Sequence, residues 1–515
     1  MDTRTAAVSL RNVTKTFGAV VANEKVNLDI YKGEILALLG ENGSGKTTLM
    51  NMLSGIYFPD EGQIFINGKE EIIKSPKDAL KLGIGMVHQH FKLVDVLSAT
   101  ENIVLGLEGK LNIKEASGKI AHICEKYGFE VDPKQKIYDM SVSQKQTVEI
   151  VKVLYRGADI LILDEPTAVL TPQETQKLFE VMRNMKKDGK AVVIITHKLH
   201  EVLDISDRVS ILRKGEYVGT VETKEASEAL LTEMMVGHKV ELNIKREEPK
   251  NPRKRLEVRH LSVRNEEGIE VLKDISFDAY GGEILGIAGV SGNGQKELLE
   301  AIAGLQPAQE GSSVQFYNKE EIDKPMEIIG KNPRVIRNAG IHMSFVPEDR
   351  LGMGLVGSMG MTGNMLLKSY ESGKGLFINR KAPKDLAEQI KEELGVVTPD
   401  INVPVSRLSG GNVQKVLVGR EIAAAPIVLM TAYAVRGLDI NTSYTIYDLL
   451  NKQKEKGVAV IYVGEDLDVL LELCDRIMVL CSGQVNGIVD GRTATKEQVG
   501  LLMTRLQKKE GERSE

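Results

Sequence analysis

A chain of 515 residues, 42% hydrophobic and 27% charged, is too long for one core and has the make-up of a globular protein of two or more domains. Its formal net charge of −5 gives no electrostatic case for nucleic acid as a main partner. Cys124, Cys474 and Cys481 are too few and scattered for a disulfide framework and read as reduced thiols, the start MDTRTAAVSLRNV lacks a signal-peptide core, and no apolar run approaches a membrane span. Any service to a membrane is therefore expected from the water side.

In chain order, the first residue of interest is Phe17 in VTKTFGAV, an aromatic just ahead of a predicted strand, able to stack on an adenine ring or to sit in the core. The apolar run Ile35–Leu39 predicts a buried strand. It leads into Gly40-Glu41-Asn42-Gly43-Ser44-Gly45-Lys46-Thr47, which fits G-x-x-x-x-G-K-[ST], and Thr48 opens a run with apolar residues at helical spacing. Glycines let successive backbone N–H groups turn inward on phosphate oxygens, and the new helix adds its positive end. In this pattern Lys46 reaches the β- and γ-phosphates and the Thr47 hydroxyl holds Mg²⁺.

Gln89, between His88 and His90, can supply an amide oxygen to Mg²⁺ or a water; the histidine pair lacks a third ligand and reads as structural. Ile160–Leu163 predicts a second buried strand, ending in Asp164-Glu165-Pro166. Two adjacent carboxylates at a strand end suit Mg²⁺ (Asp164) and polarisation of an attacking water (Glu165). His197 ends a third strand, Ala191–Ile195 with Thr196, and could contact a γ-phosphate.

The chain is written twice. Gly33-Glu34-Ile35-Leu36 recurs as Gly282-Glu283-Ile284-Leu285 (282 − 33 = 249), and Asp207-Arg208 recurs as Asp475-Arg476 (475 − 207 = 268). A repeat of this length is a whole domain. Halves are expected at residues 4–237 and 255–506, joined by a charged, proline-containing linker over 238–254 and followed by a frayed tail, 507–515. Strand runs alternating with helical stretches predict an α/β fold, each half a mainly parallel sheet between helices.

The series GENGSGKT, Gln89, the stretch Met140–Gln144, ILILDEPT and His197, together with Leu408-Ser409-Gly410-Gly411-Asn412, resembles the nucleotide-binding domains of ABC transporters over almost the whole chain. The resemblance implies two tandem P-loop ATPase domains, each with a helical signature subdomain. It implies ATP as substrate with Mg²⁺ as cofactor, Glu165, His197 and Gln89 as catalytic, and Thr47, Gln89 and Asp164 as metal-holding. Nucleotide contacts are implied for Phe17, Gly40 to Thr48, and Ser409 to Asn412, because in this family each ATP lies between the phosphate loop of one half and the signature of the other.

The second half is altered where the first is intact. The glycines Gly289, Gly292 and Gly294 persist around Val290, Ser291 and Asn293, but Gln295 stands at the lysine position and Lys296 at the Ser/Thr position. Ala432, Tyr433, Glu465 and Glu348 stand at the places of Asp164, Glu165, His197 and Gln89. In the first signature, Val142 and Ser143 follow Ser141 where the family has two glycines. The resemblance thus implies one working site and one degenerate site (Gly289, Gly292, Asn293, Gly294, Gln295, with Ser141 and Ser143). Tandem chains of this kind resemble importers of nucleosides or of simple sugars such as ribose and galactose, with HFKLVDVLSATENIVLG and FVPEDRLGMGLV closer to the nucleoside group. Membrane permease subunits and an extracellular solute-binding protein or lipoprotein are the implied partners, no nucleic acid is expected among them, and the cytoplasmic face of the cell membrane is the implied location. A soluble tandem ATPase acting on ribosomes or DNA is the alternative from another class.

Overall fold

The computed structural model describes residues 5–18, 20–89, 91–107, 112–239, 243–265, 267–290, 292–318, 325–370 and 378–504. Residue 4, His90, Ser291, part of the expected linker (240–242) and the end of the chain from 505, including the expected tail, lie outside them. The chain divides into two compact units, Met1–Glu241 and Leu242–Glu515.

The first unit contains β1 (Ala6–Phe17), β2 (Val20–Tyr31), β3 (Ile35–Leu39), β4 (Glu61–Ile66), β5 (Lys69–Glu70), β6 (Ile84–Val87), β7 (Ile160–Asp164), β8 (Ala191–Thr196), β9 (Arg208–Arg213) and β10 (Glu216–Glu222). They form one sheet in the order β5-β4-β1-β2-β10-β9-β3-β8-β7-β6. The stretch β9-β3-β8-β7-β6 is parallel, as the unbroken apolar runs predict: every residue of β3, β7 and β8 is buried, since helices cover both faces. The antiparallel arm of β1, β2 and β4 is absent from the sequence reading. Its strands carry many exposed polar residues and register shifts, so no clean alternation marks them. Phe17 ends β1, and all of β2 separates it from β3.

The helices Ala99–Val104, Ile113–Tyr127 and Val142–Tyr155 form a lobe with its own apolar cluster, in which Ile103, Ile120, Ile137, Met140, Val148 and Val151 are buried. The signature stretch Met140–Gln144 leads into the last of these helices.

In the second unit the strands are β11 (Arg253–Arg264), β12 (Glu270–Gly281), β13 (Ile284–Ala288), β14 (Ser313–Phe316), β15 (Met326–Glu327), β16 (Met343–Val346), β17 (Val428–Ala432), β18 (Ala459–Val463), β19 (Arg476–Cys481) and β20 (Gln484–Asp490). β12-β11-β14-β15 is an antiparallel sheet, and β16-β17-β18-β13-β19-β20 is parallel but for the last pair.

The recurring sequence landmarks are structural. Asp207 Oδ2 accepts from the Ile35 backbone N–H at 2.9 Å while Arg208 pairs with Glu34. Asp475 Oδ2 likewise accepts from Ile284 N–H at 2.9 Å and Arg476 pairs with Glu283. Each set ties the amino end of the phosphate-loop strand to the strand beside it.

Candidate active site

Register brings the first unit's chemistry together. β3 pairs with β8 so that Leu39 faces Thr196, and β7 pairs with β8 so that Asp164 faces Ile195. The carboxyl ends of three neighbouring strands therefore deliver Gly40, Asp164-Glu165 and His197 to one edge of the sheet, where open α/β sheets bind ligands.

The loop is a backbone cradle. A Cβ on Gly40 would stand 2.3 Å from the Leu212 carbonyl, and Gly45, at φ 96°, caps the helix Lys46–Leu53 with its own Cβ position 2.3 Å from Ala22 O. No side chain caps that helix and its first turn holds no acid, so its N–H end suits an anion. Lys46 is 6% exposed, and its ammonium donates to the carbonyls of Gly40 (2.7 Å) and Glu41 (2.9 Å). Burial lowers its pKa, opposed by Glu165, Asp164 and Glu41. Glu41, Asn42, Gly43 and Ser44 complete the turn, with Ser44 N–H donating to Glu41 O at 3.1 Å and the buried Ser44 hydroxyl without a partner among the described residues. Thr48 follows Thr47 in the first turn of the helix.

Thr47 Oγ1 donates to Asp164 Oδ2 at 3.2 Å, making a hydroxyl–carboxylate pair at the head of the helix. Burial pushes the Asp164 carboxyl up to about 6, against the Thr47 hydrogen bond and the Lys46 charge that favour its ionised form. Glu165 takes the left-handed backbone conformation at φ 46°, with its N–H given to Ile195 O at 2.9 Å. Such a conformation is costly for a non-glycine residue and concentrates at functional sites. It points the Glu165 carboxylate between two partners: Gln89 Nε2 donates to Oε2 at 3.0 Å, and His197 Nδ1 lies 3.0 Å from Oε1. The His197 contact, followed by its charge, holds the Glu165 pKa below the usual range despite burial. The two neighbouring carboxyls are thus shifted in opposite directions, Glu165 held ionised well below neutral pH and Asp164 raised to about 6.

Phe17 is 44% exposed, so it is no core residue; its ring meets the edge of Tyr57 at 5.2 Å, and Lys15 Nζ stands 5.5 Å from its centroid. Asn23 was not marked by sequence: fully buried on β2, it donates to the Gly45 carbonyl at 3.2 Å and braces the loop. Gln146, likewise outside any local motif, donates from the signature helix to Pro166 O at 2.6 Å. Both act by pairing across strands or helices distant in sequence, which no local spacing signals.

The signatures cap helices in both units. Ser141 and Gln144 form a capping box at the head of Val142–Tyr155, with Ser143 inside the first turn. Ser409 caps Gly410–Ala423, and its hydroxyl accepts from the Asn412 side chain at 2.8 Å; Ser409 and Gly410 are exposed, with Gly411 beside them.

The second unit keeps the backbone and changes the chemistry. Gly294 caps its helix at φ 97°, as Gly45 does, and Gly292 and Asn293 lie in the turn. Gln295 is 2% exposed and donates to Val290 O at 3.1 Å, while a Cβ on Gly289 would stand 2.4 Å from its amide nitrogen. Lys296 turns outward to Glu300 at 3.8 Å. Tyr433 repeats the Glu165 conformation at φ 50°, its N–H bonded to Val463 O at 2.9 Å. Around it Arg436 pairs with Glu348 and, at 3.3 Å, with Glu465. An internal ion-pair cluster thus stands where the first unit has Gln89, Glu165 and His197.

A sequence profile described as ABC transporter matches residues 23–168 and again residues 272–431. The chain belongs to the ABC transporter family. This ABC protein is 43% identical to the Nucleoside import ATP-binding protein NupA of Lactococcus lactis subsp. cremoris, over 96% of this chain and 97% of that one. It is 40% identical to the Guanosine import ATP-binding protein NupO of Bacillus subtilis, over 98% of both. The Ribose import ATP-binding protein RbsA 1 of Rubrobacter xylanophilus is 36% identical over 96% of this chain and 98% of its own length. As an ABC ATP-binding protein the chain is an ATPase, and among its described residues no helix is long and apolar enough to cross a membrane.

Proposed function

We propose that this ABC ATPase powers the import of nucleosides, hydrolysing ATP at the Gly40–Thr47 loop on the cytoplasmic face of the cell membrane. Integral membrane permease subunits and an extracellular solute-binding protein or lipoprotein complete the transporter. The observation that carries the reading is Glu165, held ionised between Gln89 and His197 at the end of the strand beside the phosphate loop. Lys46 takes the phosphate charge, Glu165 orients and deprotonates the attacking water, His197 and Gln89 fix Glu165, and water exclusion falls to the loops around them. In the same proposal Ser409-Gly410-Gly411-Asn412 is the functional signature, and the Gln295 loop retains nucleotide without cleaving it.

Thr47, Asp164 and Gln89 offer hydroxyl, carboxylate and amide oxygens, a donor set that fits Mg²⁺. Bound there, Mg²⁺ supplies charge neutralisation on the phosphate oxygens. Asp164 gives this assignment a test independent of turnover. Its folded-state pKa of about 6 lies above the ordinary 3.8, so without metal its ionisation costs stability in full above pH 6 and progressively less toward pH 4. In EDTA, Asp164→Asn is expected to raise the Tm at pH 7.5, the gain shrinking as the pH falls, and added Mg²⁺ should raise the Tm of the unsubstituted protein only. A pH-independent difference, or equal stabilisation of both by Mg²⁺, would remove Asp164 as the metal's carboxylate.

The segment after Gln89 is the proposed receiver of the permease. Of Phe91, Leu93 and Val96, Leu93 packs against the helical lobe, whereas Val96 is 68% exposed. Val96→Asp is expected to leave ATP binding intact and abolish coupled transport in the assembled complex; loss of ATP binding would assign Val96 to folding instead.

Nucleosides are favoured over sugars because the relatives named for nucleoside and guanosine import are more similar to this chain than the one named for ribose import. Uptake of labelled guanosine, adenosine and ribose by cells lacking the chain decides it. Loss of nucleoside uptake alone is the expected result, and loss of ribose uptake alone would assign the sugar.

A further inference from the structure

At the amino ends of β3 and β9, the opposite edge from the phosphate loop, the first unit has a polar groove of about 460 Å³ whose lining includes Leu203, Ser206, Asp207, Glu222, Thr223 and Lys224. None of these residues belongs to the ATP site. The second unit shows what such a groove holds. Its corresponding place, 268 residues on, is filled by the unit's own segment Ile244–Glu247. Arg246 Nη1 donates to the carbonyls of Leu471 (2.9 Å), Cys474 and Gly491 (3.3 Å). The carbonyl of the next residue, Glu247, accepts from Lys454 Nζ (2.5 Å) and Arg492 Nη2 (2.8 Å), and Ile244 is buried in the core. Burial and the neighbouring Arg492 charge work against the guanidinium's charge, and Asp475 and Asp490 favour it.

The first unit keeps the groove-lining positions of this arrangement. Leu203, Ser206 and Thr223 stand at the positions of the three carbonyl donors of electron pairs, Leu471, Cys474 and Gly491; Asp207 and Glu222 stand for Asp475 and Asp490; Lys186 and Lys224 stand for Lys454 and Arg492. Lys186 contacts Asp207 at 2.5 Å, as Lys454 contacts Asp475 at 2.8 Å. The main change is threonine for glycine at 223: its hydroxyl pairs with Ser206 Oγ at 2.8 Å, and its carbonyl, which accepts from Ala226 N–H at 3.0 Å, has a second lone pair for a guanidinium.

We propose that this groove is a receptor for an arginine-bearing extended segment of a partner protein. The guanidinium enters between the carbonyls of Leu203, Ser206 and Thr223 under the charge of Asp207 and Glu222, and the carbonyl of the residue after the arginine is taken by Lys224 and Lys186. Rigid carbonyl acceptors in a converging set suit a planar guanidinium, with its fixed fork of donors, better than a lysine ammonium.

The probe is a fluorescent peptide with the sequence of residues 243–251, NIKREEPKN, titrated into the full-length protein and followed by anisotropy. Saturable binding is expected, weakened about tenfold or more when the peptide's arginine becomes alanine or lysine, the scale of one lost charge-assisted hydrogen bond. Lys224→Ala in the protein should weaken it similarly, and Thr223→Arg, which supplies a guanidinium from within, should block it, both variants still binding ATP. Absence of saturable binding, or binding indifferent to the peptide's arginine or to both groove variants, overturns the proposal.

Discussion

Glu165→Gln is expected to bind MgATP as the unsubstituted protein does and to hydrolyse it about 10²–10⁴-fold more slowly, the usual cost of losing a positioned base. The substitution preserves size and hydrogen bonding. What it removes is the negative charge that His197 and Gln89 hold in place at 3.0 Å each. Because the Glu165 pKa is held below its ordinary range, the carboxylate is ionised throughout the neutral range, and the defect should persist at every pH from 6 to 8. Single-turnover hydrolysis beside equilibrium nucleotide binding separates the two steps. Near-normal turnover in this variant would take the base assignment away from Glu165.

Lys46→Ala should lower ATPase activity about 10²–10³-fold, the scale for removing one preorganised donor to a transferring phosphoryl group, whereas Gln295→Ala should change it little. The two side chains occupy equivalent buried places and both donate to carbonyls of their own loops. Only one brings a charge. The Lys46 ammonium, although its pKa is lowered by burial, is supported by Glu165, Asp164 and Glu41, while the second unit sets Ala432 and Tyr433 where Asp164 and Glu165 stand and neutralises Arg436 with Glu348 and Glu465. Ser409→Ala should be strongly damaging and Ser141→Ala mild in the same assay, run in the assembled transporter. Equal loss from Gln295→Ala and Lys46→Ala would refute the proposal of one silent site.

The residues that make the candidate site were legible because phosphate and metal chemistry impose short, contiguous patterns. Glycines, a lysine and a threonine must be adjacent to build one cradle, and a buried strand that ends in two carboxylates has few structural explanations. The repeat was legible too, as landmarks at nearly constant spacing. Asn23 and Gln146 were not, since each matters only through a partner brought near by pairing of distant segments.

By itself, then, the sequence of this protein determined the motif order, the duplicated α/β pattern and the unequal chemistry of the two halves. These depend on residue type and local spacing. Only the tertiary structure decided which groups touch. Parallel register alone sets Gly40, Asp164, Glu165 and His197 at one edge, and the left-handed turn at Glu165 alone points its carboxylate between Gln89 and His197. The antiparallel arm of β1, β2 and β4 and the arginine-filled groove of the second unit likewise rest on contacts between residues tens to hundreds of positions apart. Such contacts are set by burial and hydrogen-bond satisfaction across the whole unit, for which no stretch of sequence carries a local sign.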